Sequence, residues 1–159
     1  MRETRATGPG QPSSSEGGRA LRILIVDDDA TFRTELGGLL QASGYEVSLA
    51  ADRSEALERL RTDHVDVVLL DLVLPGTSGL DILREALAAH PTTPFILLTG
   101  FGTPEVLVEA RKAGASDVLP KPFEFEALER LLRAHGENRR AGRGAAAGPE
   151  AAPPRSPED

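Results

Sequence analysis

Short runs of consecutive apolar residues alternate along this chain with stretches whose apolar residues return every three or four positions. LRILIV (21–26), VDVVLL (65–70) and FILLTG (95–100) are apolar almost throughout, as expected of strands covered on both faces. YEVSLA (45–50) and SDVLP (116–120) are shorter runs of the same kind. Between them the period lengthens. Phe32, Leu36, Leu39 and Leu40 mark the inward face of a helix that stops by Gly44. Gly37 and Gly38 interrupt it at a cost of roughly 1 kcal/mol each relative to Ala, which leaves close packing or a weak helix as readings. SEALERLRT (54–62) predicts a second helix with Ser54 as N-cap and Ala56, Leu57 and Leu60 inward. Residues 80–89 predict a third, on Leu80, Leu83 and Leu87. Pro104 opens a fourth over 104–113, and residues 124–135 predict a fifth on Leu128, Leu131 and Leu132. DLVLPGTSG (71–79), with Pro75, Gly76 and Gly79, is expected to be a loop.

Five strands each followed by a helix predict an α/β fold: a doubly wound (βα)5 five-stranded parallel sheet with helices on both faces. Its crossovers are right-handed, and its site lies at the carboxyl ends of the strands near the switch point.

Composition sets the limits. The 159 residues are 40% apolar, enough for one domain with a core, placed at 20–136. Residues 1–19 and 137–159 are rich in Gly, Pro, Ala, Ser and charge and are expected to be disordered. The chain contains no cysteine, which excludes disulfides, zinc–thiolate sites and cysteine nucleophiles. No apolar run approaches the ~20 residues of a membrane span, and the first residues lack the apolar core of a secretory signal. A cytoplasmic protein is expected. Between Ala20 and Gly136 there are 11 basic and 19 acidic residues, a balance of −8, which argues against direct nucleic-acid binding. The only lysines are Lys112 and Lys121, in a chain that otherwise uses Arg.

The strand ends carry the chemistry. The first strand runs into Asp27, Asp28 and Asp29; the third ends at Asp71, the fourth at Thr99, and the fifth beside Lys121. A parallel sheet brings these ends to one edge. Carboxylates without His or Cys suit a hard cation such as Mg²⁺. A further carboxylate can attack a phosphoryl group, whose oxygens then need positive charge and donors, roles open to Lys121 and Thr99. Each residue also has a structural reading, as helix cap, turn residue or solvated surface. Only their joint placement favours a site.

The stretches ILIVDDDATFR, VVLLDLVLPGTSGLDIL, FILLTGFG and KAGASDVLPKPFE together resemble the receiver domain of two-component response regulators. The resemblance covers about residues 20–136. It implies flavodoxin-like strand order 2-1-3-4-5. It implies that Asp71 is the phosphoacceptor and that Asp28 directly, and Asp27 through water, hold Mg²⁺ (or Mn²⁺) together with Asp71 and the Val73 carbonyl. Thr99 and Gly100 match the switch hydroxyl and the small residue beside it, and Lys121 the lysine that pairs with the phosphoryl group. The Lys121–Pro122 bond is implied to be cis. Val118 stands where the family often carries a switch aromatic, so aromatic rotation coupled to Thr99 is unavailable in its usual form. Such a domain signals as a phosphoacceptor that catalyses its own phosphotransfer and dephosphorylation. The implied donor is a sensor histidine kinase or a histidine phosphotransfer protein. Residues 104–135 correspond to the family's output and homodimer face; the output partner itself is unknown.

A haloacid-dehalogenase-like phosphatase also fits ILIVDDDAT, with Asp27 as nucleophile, Asp29 as acid/base and Thr99 and Lys121 in support. It lacks the expected insertion and a late acidic motif, and it leaves Asp71 without a role. A phosphate-independent interaction module is a third reading. A dinucleotide site is disfavoured because no glycine-rich turn follows the first strand. His64, His90 and His135 lie in no kinase-like context, and Arg139, Arg140 and Arg143 form a small basic cluster. No helix-turn-helix, ATPase or cyclase pattern follows residue 136, so a stand-alone receiver and a piece of a longer regulator both stay open.

Overall fold

The structure, a computed structural model, describes residues 20–100 and 103–145, with residues 139–145 given by backbone alone. Residues 1–19, the far end from 146, and the side chains of Arg139, Arg140 and Arg143 lie outside the described part.

Among the described residues, seven strands and five helices follow in order: β1 (Arg22–Val26), α1 (Ala30–Ala42), β2 (Glu46–Ala50), α2 (Arg53–Thr62), β3 (Val67–Asp71), β4 (Val73–Leu74), β5 (Thr77–Ser78), α3 (Gly79–Ala89), β6 (Phe95–Thr99), α4 (Pro104–Ala113), β7 (Asp117–Pro120) and α5 (Phe125–Ala145). The main sheet has the order β2-β1-β3-β6-β7, all pairs parallel. Counting only those five strands, the order is 2-1-3-4-5, that of the flavodoxin-like fold. The chain leaves β1 for one edge and returns across it to β3, so the switch point lies between these two strands.

The described residues fall into two compact units, one within residues 1–124 and one from Phe125 onward. In the first, every residue of β3 and β6 is buried, which explains runs with no polar alternation. Leu24, Val26, Val68, Leu70, Phe95 and Leu97 share one face with Ala56 and Leu60 of α2, Ile82, Leu83 and Ala86 of α3, and Ala110 of α4. Ile25, Val47 and Leu49 point to the other face, where α1 lies with Leu36, Gly37 and Leu40 buried. The sheet is therefore wound on both faces. The second unit is α5, in which Leu128 and Leu132, four residues apart on one side, are buried. Among the described residues no helix is long and apolar enough to cross a membrane.

Several local expectations change. The N-cap of α2 is Asp52, not Ser54: Asp52 Oδ1 accepts from Glu55 N at 2.9 Å while Glu55 Oε1 accepts from Ala51 N at 2.7 Å. That reciprocal pair satisfies two backbone donors, more than the Ser54 hydroxyl could. Leu39 is 52% exposed, because the buried stripe of α1 runs through Leu36, Gly37 and Leu40. The expected loop at 71–79 contains a two-stranded antiparallel ribbon, Val73 opposite Ser78 and Leu74 opposite Thr77. Pro75 and Gly76 close it, Gly76 at φ +75°, the arrangement of a type II turn. Lastly, α5 continues to Ala145 where a disordered segment from residue 137 was expected. Residues 137–145 (ENRRAGRGA) contain no proline and are mostly good helix formers, so nothing stops the helix at Gly136.

Candidate functional site

The switch point puts the carboxyl ends of β1 and β3 side by side, in register from Ile23–Val67 to Val26–Leu70. One residue beyond β1, Asp27 is 1% exposed; at the end of β3, Asp71 is 8% exposed. Asp28 is exposed beside them. Each of the three offers a carboxylate oxygen, and these oxygens lie within 4.8 Å of one another.

Such a cluster needs compensation. Two like charges at that separation repel by roughly 3 kcal/mol at an effective dielectric of 20. Lys121, directly after β7, supplies part of it: Nζ lies 2.8 Å from Asp27 Oδ2 and 3.6 Å from Asp71 Oδ2. The backbone supplies more. Asp29 N donates to Asp27 Oδ1 at 2.9 Å, and Val73 N donates to Asp71 Oδ1 at 3.0 Å. Arg33 Nη1 donates to the Asp27 carbonyl at 2.6 Å, which pins the end of β1 to the first turn of α1. Three carboxylates and one ammonium leave a formal charge of −2.

Burial pushes the Asp71 carboxyl above its ordinary range, and the nearby Asp27 charge adds to that; the Val73 N–H and Lys121 pull the other way without cancelling it. Lys121 is set in place by its own N–H, which donates to the Thr99 carbonyl at 2.7 Å, and its peptide bond to Pro122 is cis. Thr99, 1% exposed, ends β6 in register with Pro120 and one residue past the Asp71–Leu98 pair. Gly100 is exposed, and among the described residues a Cβ built there meets nothing within 4 Å.

Gly79 packs against the backbone that carries Asp71. Its N–H donates to the Leu72 carbonyl at 2.8 Å, and an added Cβ would lie 2.6 Å from Leu72 Cα and press on the Asp71 carbonyl. Only glycine lets α3 begin so near the backbone that carries Asp71.

The strand-end residues named from sequence thus gather at one edge: Asp27, Asp28, Asp71 and Lys121 in direct range, with Thr99 and Gly100 at the end of the neighbouring strand. Val73 touches the group through its N–H to Asp71, and its side chain is exposed. Val118 lies apart, packed against the core from β7. Asp29 is the α1 N-cap, accepting from Phe32 N at 3.1 Å, the helix-start role the sequence left open for it. Two residues at the site were not assigned from sequence: Phe32, read as a core position, and Phe123. The ring of Phe32 lies beneath the Lys121 ammonium and meets Phe123 edge-on. Their one sequence signal is rarity, since the chain has five Phe, one Tyr and no Trp.

A cation would find only oxygen donors here, three carboxylates at one mouth with net negative charge, the donor set of Mg²⁺ or Mn²⁺ rather than of a thiolate- or imidazole-seeking metal.

Comparison with known proteins identifies the family of the domain. The family model described as the response regulator receiver domain matches residues 23–133. The two-component response regulator PhoP of Pseudomonas aeruginosa is 40% identical over 114 residues, covering 72% of this chain and 51% of that protein. The transcriptional regulatory protein ZraR of Salmonella typhimurium is 41% identical over 110 residues, 69% of this chain and 25% of the relative. This chain therefore matches about half the length of the first and a quarter of the second. Among solved structures, a CheY-like response regulator receiver domain protein from Methanospirillum hungatei superposes with a TM-score of 0.72 at 31% identity, over 77% of this chain and 99% of the other.

Proposed function

The chain belongs to the response regulator receiver domain family, and from that premise we propose that Asp71 accepts a phosphoryl group from a phosphohistidine donor. The observation that carries the proposal is a nearly buried carboxylate at a strand end, 3.6 Å from an ammonium and within 4.8 Å of two further carboxylates. Asp27 and Asp28, with Asp71 and the Val73 carbonyl, would hold Mg²⁺ or Mn²⁺, and the bound ion would supply positive charge to the phosphoryl oxygens.

A carboxylate oxygen of Asp71 attacks phosphorus. The bond from phosphorus to the donor's imidazole nitrogen breaks, and its electron pair stays on that nitrogen. Lys121 exchanges its contact with Asp27 for a phosphoryl oxygen, and Thr99 donates its hydroxyl to another. Gly100 leaves the approach open. In dephosphorylation, water attacks phosphorus, the bond from phosphorus to the Asp71 oxygen breaks, and carboxylate and inorganic phosphate result. Signalling follows from the different contacts that Thr99 and Lys121 make in the two states. The donor is a cytoplasmic histidine kinase or histidine phosphotransfer protein, and an output partner reads the phosphorylated state.

Incubation with acetyl phosphate and Mg²⁺ tests the reading. Wild type is expected to gain one acid-stable, alkali- and hydroxylamine-labile phosphate, and Asp71→Asn none. Equal labelling of the variant, or no labelling of wild type, would overturn it. The phosphatase reading predicts the opposite pattern, turnover of a small phosphate ester that Asp71→Asn spares.

A further inference from the structure

The Lys121 ammonium is held on three sides, and only two of them are carboxylates. The third is the face of Phe32, whose ring centroid lies 4.2 Å from Nζ. That ring is braced in turn. Phe123 meets it at 90° with centroids 6.3 Å apart, the edge-to-face arrangement that aromatic quadrupoles favour. Both rings are tied closely to the site. Phe32 sits in the first turn of α1, where its N–H is capped by Asp29, and Phe123 follows Lys121 by two residues. Two of the six aromatic residues of the whole chain thus bracket one lysine.

We infer that Phe32, braced by Phe123, is a positioning residue that keeps the Lys121 ammonium aimed between Asp27 and Asp71. The physical case rests on what an aromatic face does that an aliphatic side chain cannot. A lysine has a flexible four-carbon stem and a strongly hydrated head, and this one is 25% exposed, so water competes for it. The negative ring face attracts the ammonium without accepting a directional hydrogen bond. It therefore holds the cation while Nζ trades Asp27 for a phosphoryl oxygen, a step that a third carboxylate would oppose. Phe32 touches Lys121 and not the reacting atoms. Its effect on phosphoryl transfer rests on the function proposed above; its placement of the ammonium does not.

The chain's two lysines make the test direct. Protein labelled with ¹³C-lysine gives two ε-methylene signals, and Lys112, exposed on α4, serves as the internal reference. In wild type the Lys121 signal, assigned with Lys121→Arg, is expected upfield of Lys112 through the Phe32 ring current. Phe32→Tyr keeps that shift, and Phe32→Leu, of similar bulk but without a ring, removes it. With acetyl phosphate at saturating Mg²⁺, Phe32→Leu is expected to slow labelling of Asp71 by about threefold or more, while Phe32→Tyr stays near the wild-type rate. Circular dichroism and thermal unfolding establish that both variants fold. Coincident lysine signals in wild type, or a wild-type labelling rate in Phe32→Leu, would overturn the inference and leave the ring as packing alone. Failure of wild type to take phosphate overturns the proposed function instead, and the resonance position then decides the placement by itself.

Discussion

Asp71 shares a strand-end cluster with two other carboxylates, yet is almost wholly withdrawn from water. Burial is the largest influence on its carboxyl, and the folded state favours the protonated form relative to an unfolded chain. The sign of the stability effect follows. Between the unfolded and folded values the native state binds more protons, so stability falls as pH rises through that interval, and the deficit persists at neutral pH. Asp71→Asn removes the charge and keeps the shape. In metal-free buffer its melting temperature is therefore expected to exceed that of wild type at pH 7, with the difference shrinking as pH falls below the ordinary carboxylate range. A thermal melt series over pH checks this; a variant less stable than wild type at pH 7 would mean that the Lys121 attraction outweighs burial. At this scale sequence reading named the strand-end residues well, because each follows an apolar strand directly. It did not find Phe32, because a helical period places a residue on a face and does not name its neighbour.

Among the elements, the two helix glycines of α1 and the glycine that starts α3 have opposite meanings. A Cβ on Gly38 meets nothing within 4 Å, and one on Gly37 meets Leu49 and Val47 at 3.6 Å, ordinary contact. Close packing therefore does not require either glycine. Gly38→Ala is expected to stabilise the protein by about 0.5–1 kcal/mol, measured by urea unfolding. Gly79→Ala drives a methyl into the Asp71–Leu72 backbone and is expected to destabilise by about 2 kcal/mol or more. It should also slow acetyl-phosphate labelling, since the displaced atoms carry the proposed acceptor. Sequence alone could not separate these cases. All three glycines lie within or beside apolar-periodic segments, and only the distance to the neighbouring backbone distinguishes them.

For the whole molecule, the charge balance of −8 over residues 20–136 includes a cluster at one sheet edge, where three carboxylates face one ammonium. A divalent cation binding there would stabilise the native state by mass action, by about 2.7 kcal/mol at a hundredfold excess over Kd. Mg²⁺ is therefore expected to raise the melting temperature of wild type, EDTA to reverse the effect, and Asp28→Asn to blunt it. Scanning calorimetry at several Mg²⁺ concentrations checks this, with Ca²⁺ and NaCl as controls for simple screening. An equal response in Asp28→Asn would remove that carboxylate from the metal set.

Sequence by itself determined the order of the five helices and of the five strands of the parallel sheet, because strands buried on both faces need unbroken apolar runs and the helices between them need a 3.6-residue period. It also determined which polar residues stand at strand ends, since those are where the apolar runs stop. Tertiary structure alone decided what those residues touch. Asp27 and Lys121 are 94 positions apart and meet at 2.8 Å only because β1 and β7 end on the same edge. The Asp52 cap, the exposure of Leu39, the ribbon after Asp71 and the ring beneath Lys121 are likewise outcomes of competition among local options: which donor is nearest, which face is already covered. Periodicity records that a residue faces inward. The partner it meets there is set by the other elements, through distances that no local pattern contains.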